Sequence, residues 1–443
     1  MPDSASSVDS SADVIIGEAR LKPHRLRAAI LGEVHARPFT PLSTPARILH
    51  FAFDTMGDQA QADRNALVEL CVGRGVQAPR PTDKHLHVSF GATTLRWEQH
   101  SEFTTYTWEL PADAAESPFH PAASSLASPM NAVPQPGPLL VAVDLHLLTD
   151  TPGRLAVERH FNRASLAVAE NSDGTALYAT DFQTNADGFI RILVLDRGLG
   201  RERAGALIQR LLELETYRTL AMLGLPKAQE LAPSINRIER RLAELTGELR
   251  SDTALADNSR MLDELTALAA ELEAGAAASL FRFGASRAYD EIVHTRLKII
   301  GERKVAGLPT WSSFLARRMA PAIRTCATTE ERQANLSRKL ARAANLLRTR
   351  VDVELEQQNQ DLLKSMNART RLQLRLQATV EGLSVAAISY YVVGLFGYVV
   401  KGAHDAGWPI EPTLATAAFV PLAVLSIWWV VRRIRSHHIG HEV

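Results

Sequence analysis

The residues best suited to acid–base or metal chemistry lie in one short N-terminal segment. Glu33 and His35 are separated by one residue, and Arg37 follows directly before Pro38. A carboxylate and an imidazole at this spacing can exchange a proton or bind a metal ion. The alternative is a salt-bridge network around a helix that ends before Pro38, because proline disfavours helical geometry in the preceding residue. We predict Glu33, His35 and Arg37 as a candidate functional segment, and we predict neither a metal site nor a cofactor.

Two polar patterns lie on predicted strands. His85 and His87 are two residues apart, which puts both imidazoles on one face of a strand. They fit half of a zinc site, or the ordinary alternation of a half-exposed strand. The run 96–102 mixes acidic and basic residues with a tryptophan and a histidine. Cross-strand ion pairs are its first interpretation, and a ligand pocket is the second.

Two further patterns lie on or before a predicted helix. Glu215 and Arg218 are three residues apart and can form an ion pair on the helix surface. Gly198 and Gly200 follow a predicted strand and precede the helix, as in a phosphate-binding loop. The third glycine of a dinucleotide site and the Gly-Lys-Ser/Thr of a nucleotide site are both absent from the sequence there. A structural role is the alternative for both patterns.

The elements that must position these residues form an α+β domain over residues 21–225. Strands are indicated by Thr-, Val- and aromatic-rich runs bounded by turn residues, and helices by a spacing of three and four. The predicted strands are 47–53, 85–90, 94–100, 103–110, 139–148, 164–169, 176–182 and 189–196. The predicted helices are 59–72 and 203–223, the second ended by Gly224-Leu225-Pro226. Residues 85–110 are expected to form an antiparallel meander.

Residues 226–381 are predicted to be helical. A new helix is expected near Pro233, and residues 279–320 are expected to be less regular. Heptad seams run along the helices, with apolar residues at alternating spacings of three and four. They comprise Ile235, Ile238, Leu242, Leu245 and Leu249, then Leu262, Leu265, Leu268 and Leu272, then Leu336, Leu340, Ala343 and Leu347. The seams predict coiled-coil hairpins, which pair either within one chain or between chains of a homo-oligomer.

Two uncharged apolar stretches, Gly382–Val400 and Leu414–Val431, lie at the C-terminus. Each is close to the ~20 residues that a membrane-spanning helix needs. Basic residues flank the pair on both sides, whereas the loop between the stretches carries Lys401. The flanking residues are Lys364, Arg369, Arg371, Arg375, Arg432, Arg433 and Arg435. We predict a transmembrane hairpin at 382–431 with both termini cytoplasmic, membrane lipid as a partner, and a basic cytoplasmic tail at 432–443.

Bulk composition limits the remaining classes of function. The 443 residues carry 49 basic and 49 acidic side chains, so no net charge favours nucleic acid as a partner. The two cysteines, Cys71 and Cys326, suit a reducing compartment without a disulfide framework. The polar N-terminal residues 1–20 lack the pattern of a secretory signal and are predicted to be a disordered tail.

Several strings together resemble a bacterial family of membrane-anchored proteins of unknown function. They are EVHARPF at 33–39, RWEQHSEFTTY at 96–106 and ELETYR at 213–218, followed by Leu225-Pro226 and the C-terminal hairpin. The likeness spans nearly the whole chain. It implies a multi-pass protein of the bacterial inner membrane, and it implies no known activity.

The order of domains also resembles that of CorA-type divalent-cation channels. The string from Gly394 through Gly397 and Tyr398 to Val399 is similar to the Gly-Ile-Tyr-Gly-Met-Asn string of those channels. Val399 stands where the channels have an asparagine that meets the hydrated ion, and valine offers no side-chain oxygen. These residues are our candidates for a pore or a helix-packing face. The favoured function is a non-enzymatic, membrane-anchored, coiled-coil scaffold. The alternatives are a CorA-like channel and a membrane-proximal enzyme that uses Glu33, His35 and Arg37.

Overall fold

The chain divides into two compact units. A computed structural model describes residues 14–16, 19–27, 30–31, 39–113, 117–126, 129–151, 157–249 and 255–439. The first unit comprises Met1–Gly247 and Leu265–Arg342, and the second comprises Glu248–Glu264 and Ala343–Val443. Within these described residues, an N-terminal α/β domain with a mixed sheet precedes a long helical region and a C-terminal helix.

Two short strands, β1 (Val14–Ile16) and β2 (Ala19–Leu21), form an antiparallel pair near the N-terminus. They fall within or beside the predicted disordered tail of residues 1–20. Residues 1–13 of that tail lie outside the described residues.

Nine further strands of the described chain form one mixed sheet in the first unit. They are β3 (Ala46–Asp54), β4 (His85–Phe90), β5 (Thr93–Gln99), β6 (Phe103–Leu110), β7 (Leu139–Thr149), β8 (Ala167–Glu170), β9 (Ala176–Thr180), β10 (Ile190–Asp196) and β11 (Arg303–Lys304). Their order across the sheet is β11-β8-β9-β10-β7-β3-β6-β5-β4. Strands β7 and β10 are parallel, and the other neighbouring pairs of the described sheet are antiparallel. The predicted meander is confirmed as β4, β5 and β6.

Helices cover both faces of this sheet, because its central strands carry apolar side chains on both faces. Helix α1 (Asp58–Gly73) packs Leu67 and Cys71 on one face, against Trp97 and Trp108. Helix α2 (Arg201–Met222) packs on the opposite face through its leucines. Above β4, β5 and β6 that opposite face carries polar side chains, which line the candidate site.

The junction after α2 differs from the prediction. Helix α3 (Gly224–Glu248) begins at Gly224 and continues through Pro233, where a new helix was expected to start. Pro226 lies in the first turn of α3, where a missing N–H costs nothing. Gly224 is required by close packing, because a Cβ there would lie 2.5 Å from Ser286 Oγ and 2.9 Å from Cys326 Sγ.

The prediction that residues 279–320 are less regular is wrong for the first half of this range, which is helical. Helix α4 (Leu255–Ile300) continues to Ile300 because Phe283, Val293 and Leu297 keep the seam spacing and are buried. Gly301, at a φ of 65°, ends the helix and donates its N–H to the Leu297 carbonyl. The remaining elements are α5 (Trp311–Arg318), α6 (Ala320–Asp405) and α7 (Pro412–Ile439).

In the first unit, α3, α4 and α6 bury their seams within one chain. The buried seam residues there are Ile235, Ile238, Leu242, Leu245, Leu265, Leu268, Leu272, Leu336 and Leu340. Polar pairs also join the helices: Arg237 with Glu271, and Arg332 Nη2 with Glu239 Oε2 at 2.7 Å. The apolar pattern is therefore satisfied by helices of the same chain along these positions.

In the second unit, two parts of the helical region contact each other. Asn258 donates to Glu354 across 3.0 Å, and Arg350 donates to the Leu249 carbonyl across 3.1 Å. Further along, α6 and α7 also contact each other, where Phe396 and Phe419 stack with their centroids 3.9 Å apart. Among the described residues, two helices are long and apolar enough to cross a membrane, the C-terminal part of α6 and α7.

Candidate functional site

A cavity of about 330 Å³ opens on the α2 face of the sheet. Alternate residues of three neighbouring strands build its floor. His50 of β3 pairs with Thr107 of β6, which pairs with Arg96 of β5, and Thr105 of β6 pairs with Glu98 of β5. Because successive side chains of a strand point to opposite faces, these five lie on the same face. The volume suits a small-molecule ligand.

His50 is held in one neutral form at the base of the cavity. Its Nε2 lies 2.9 Å from the Thr216 hydroxyl, which itself donates to the Leu212 carbonyl and so accepts from His50. Its Nδ1 lies 2.8 Å from the Thr107 hydroxyl and accepts from it. Burial, and then the positive charge of Arg96, lower the pKa of His50 from 6.5 to about 3. His50 is therefore an uncharged, fully hydrogen-bonded group in the floor of the cavity.

A chain of polar contacts joins the sheet to two helices along one wall. Arg96 donates through Nη1 to Gln209 Oε1 at 2.8 Å, and Gln209 donates to Glu213 Oε1 at 2.9 Å. Glu213 Oε2 lies 2.5 Å from Arg296 Nε. The wall thus connects strand β5, helix α2 and helix α4, and it leaves positive charge at both ends.

Several polar groups that line the cavity retain unused bonding capacity. Within the described residues, Arg96 Nε and Thr105 Oγ1 are buried without a hydrogen-bond partner. The buried carboxylate of Glu98 lies 3.9 Å from Arg96 Nε and 4.0 Å from His100 Nε2, beyond hydrogen-bond distance. Arg210 lies over the ring of Phe39 at 6.0 Å from the centroid. Such groups favour the binding of a polar molecule.

Aromatic rings form the other wall. Phe103 stacks on His100 at 4.1 Å and meets Tyr217 edge-on at 6.0 Å. Behind it, the hydroxyl of Tyr289 donates to the buried carboxylate of Glu102. Burial, and then the bond to Glu102, raise the pKa of Tyr289. This arrangement fixes the aromatic wall against α4 and keeps the Tyr289 hydroxyl protonated.

Among the described residues, this cavity has neither a metal-ligand cluster nor a cysteine in its lining. The part of the chain that the structure describes holds no group of three or more His, Cys, Asp or Glu residues suited to a metal ion. Cys71 and Cys326 are both buried, and burial raises the pKa of each thiol. The arginines that line the cavity are suited to recognising an anionic group.

The predicted segment Glu33, His35 and Arg37 lies outside the described residues. Phe39, which closes the same motif in the sequence, lines the cavity. His85 and His87 pair in register with Glu98 and Arg96, on the edge strand beside the cavity.

The charges of the run 96–102 pair differently from the prediction of cross-strand ion pairs. Arg96 bonds to Gln209 of α2, and Glu102 bonds to Arg282 of α4. Both side chains reach helices because this sheet face is covered by α2 and α4. The ligand-pocket alternative agrees with the geometry for Arg96 and Glu98.

The other two polar patterns have structural roles. Glu215 and Arg218 form an ion pair on α2 as predicted, but the pair is not on the helix surface, because the Glu215 side chain is fully buried and that of Arg218 is 19% exposed. The N–H groups of Gly198 and Leu199 donate to the carboxylate of Asp196, at 2.8 and 2.6 Å. The loop thus binds a carboxylate of its own chain in place of a phosphate.

The predicted pore or packing residues take two different positions on α6. A Cβ on Gly397 would lie 3.7 Å from the Thr416 side chain of α7, so Gly397 allows these helices to approach closely. A Cβ on Gly394 would meet no atom of the described residues within 4 Å. Tyr398 and Val399 are 78% and 65% exposed, so both lie away from α7.

Sequence reasoning did not identify Gln209, Arg210 or Arg296 as site residues. They lie on helices with ordinary surface composition, so no local signal distinguishes them. Only the packing of α2 and α4 on the sheet brings them to Arg96.

Comparison with known proteins supplies a family and no activity. The family model described as a protein of unknown function (DUF3422) matches residues 22–438, nearly the whole chain. No curated protein matches the sequence.

Proposed function

We propose that this chain, which belongs to the DUF3422 family of proteins of unknown function, is a membrane-anchored scaffold that presents its α/β domain to the cytoplasm of a bacterium. The anchor is the pair of apolar helices, and both termini lie on the cytoplasmic side of the inner membrane. The protein acts through binding and self-association, without catalysis.

The exposure of apolar side chains on α6 and α7 carries this proposal. Leu395, Leu414 and Leu425 are 70%, 72% and 61% exposed. Apolar surface on this scale is unfavourable in water and favourable in hydrocarbon. Basic side chains flank the two stretches at both ends, and cytoplasmic flanks carry such an excess.

Cysteine labelling tests the topology because both native cysteines are buried. Asp405→Cys lies at the last residue of α6, directly before the loop between the helices, and Lys364→Cys lies before the first apolar stretch, with a side chain 75% exposed. In intact spheroplasts, a membrane-impermeant maleimide should label the first variant and spare the second until lysis. Labelling of both variants before lysis would contradict the proposed hairpin.

We also propose that copies of the chain associate through exposed faces of α6. Tyr391, Gly394 and Tyr398 are spaced by three and four residues, and both tyrosines are at least 75% exposed. Tyr391 lies near the middle of the apolar stretch, where a hydroxyl needs a protein partner because lipid chains offer none. A second copy supplies such a partner, and Gly394 allows its close approach.

The exposed leucines before the apolar stretch extend this face. Leu355, Leu362 and Met366 are 45%, 61% and 56% exposed and fit one heptad frame. Leu362→Glu with Met366→Glu should reduce the oligomer seen by light scattering of the detergent-solubilised protein. Leu242→Glu is a poor test, because Leu242 is buried within its own chain. A monomeric wild-type protein would contradict self-association.

A CorA-like channel is the second candidate function. The string Gly394 to Val399 favours it, since Gly394 and Tyr398 are free to face symmetry mates. Val399 argues against it because a pore mouth needs oxygen ligands for a hydrated cation. Liposomes that contain the oligomer and a magnesium-sensitive dye decide between the two. We expect no flux above protein-free liposomes, and measurable flux would favour the channel.

A further inference from the structure

We propose that the cavity lined by Arg96, Arg210 and Arg296 binds a small organic oxyanion, a carboxylate or a phosphate monoester, that also carries a hydroxyl group. This site is independent of the membrane anchor and of self-association. It lies in the first unit, between the sheet, α2 and α4.

The charge of the lining selects an anion. Three arginines face two glutamates, Glu98 and Glu213, across the cavity described here, and His50 is neutral. One positive charge is left uncompensated. Arg210 is the charge most available to a ligand, because within the described residues it lies over the ring of Phe39 and forms no ion pair or hydrogen bond. A guanidinium presents paired N–H donors that match a carboxylate or a phosphate.

The polar groups on the sheet indicate where the rest of the ligand binds. Thr105 Oγ1 and Arg96 Nε are buried without hydrogen-bond partners among the described residues. Ligand oxygens that bond to these atoms would satisfy them, and leaving them unpaired costs free energy. Glu98 lies 3.9 Å from Arg96 Nε and 4.0 Å from the His100 ring, and it is placed to accept a hydrogen bond from a ligand hydroxyl.

The walls limit the size and shape of the ligand. The cavity of about 330 Å³ is near the lower end for small-molecule sites, which excludes dinucleotides. Phe39, Phe103 and Tyr217 all line the cavity, so the ligand body contacts aromatic rings. The same chemistry occurs in a soluble phosphate monoester and in the headgroup of an anionic phospholipid.

Ligand binding to the detergent-solubilised full chain tests the site. The probes are inorganic phosphate, glycerol 3-phosphate, lactate and a short-chain phosphatidic acid. The controls are glycerol and sodium chloride at matched ionic strength. A bound probe raises the thermal unfolding midpoint with its concentration, because it binds only the folded state. Midpoint shifts with the soluble probes identify a free anion as the ligand, and shifts with phosphatidic acid alone identify a lipid headgroup.

Arg210→Gln should weaken probe binding at least tenfold, since a hydrogen bond to a charged group contributes about 1.5–3 kcal/mol. The unliganded midpoint should stay unchanged, because Arg210 makes no ion pair with a described residue. Arg203→Gln is the matched control: it lies on the same helix but bonds to Asp173 outside the cavity, and it should bind like the wild type. Glu98→Gln should reduce the preference for glycerol 3-phosphate over inorganic phosphate.

Two results would overturn the proposal. One is a wild-type midpoint that moves no more with any probe than with glycerol or sodium chloride. The other is equal affinity of Arg210→Gln and wild type. If Arg210→Gln fails to fold, the wild-type comparison of phosphate against chloride still decides the question.

Discussion

Removal of the Glu102 side chain should strongly destabilise the α/β domain. Glu102 is 3% exposed and lies in the turn between β5 and β6. It accepts hydrogen bonds from Arg282 and from the Tyr289 hydroxyl, both on α4. Glu102→Ala leaves the guanidinium and the hydroxyl without their partner, and it detaches the sheet turn from the helix.

The expected cost follows from this environment. Breaking a buried ion pair by removing one partner costs about 3–5 kcal/mol. The side chain of Arg282 is 18% exposed, so water recovers part of its solvation and the lower end of that range applies. We expect a loss of about 3 kcal/mol. Glu239→Ala is the matched control, because its pair with Arg332 joins two helices of the same unit but is 40% exposed. An exposed pair contributes at most about 1 kcal/mol.

Denaturant unfolding of the detergent-solubilised chain, followed by tryptophan fluorescence, measures both variants. Trp97, Trp108 and Trp311 are fully buried in the first unit and report on its unfolding. A double-mutant cycle of Glu102→Ala with Arg282→Ala should show a coupling energy above about 1 kcal/mol. A cost for Glu102→Ala no larger than that for Glu239→Ala would refute the reasoning.

Three further predictions concern the helices and the histidine. Gly397→Leu should lower the thermal stability of the α6–α7 pair, because Gly397 lies against Thr416. Gly394→Leu should leave the stability of the monomer unchanged and reduce only the amount of oligomer seen by gel filtration. Leu340→Ala, at a fully buried seam position, should cost about 2–5 kcal/mol, and Leu346→Ala, 71% exposed, less than about 0.5 kcal/mol in the same unfolding assay. Because the folded pKa of His50 is lowered, the unfolded chain binds more protons between pH 6.5 and about 3, and stability falls as pH drops through this window. The wild type should lose about 2 kcal/mol from this group between pH 7.5 and 5, and His50→Gln should not show that loss.

The binding cavity illustrates what sequence reasoning misses. Glu98 and Arg96 belong to a run whose mixed charges allowed a pocket as one interpretation. Arg210 and Arg296 had no such signal. They line the cavity because of the register of β3, β6 and β5, and because α2 and α4, which are distant from these strands in sequence, pack on them.

By itself, the sequence determined the elements whose pattern is local. Alternation predicted the meander 85–110, and seam spacing predicted which faces of the helices are buried. The length and apolarity of the two C-terminal stretches predicted helices able to cross a membrane. These features arise from neighbours within one or two turns or one strand, so they appear in any short window of residues.

The tertiary structure alone decided which of these faces meet. In the structure, α3 begins at Gly224. A glycine is required at this position, because Ser286 and Cys326 approach it too closely for a side chain. The tertiary structure also directed Glu102 to α4 and distinguished Gly397, which packs on α7, from Gly394, which does not. Such outcomes depend on contacts between residues distant in sequence, whose free energy no local pattern contains.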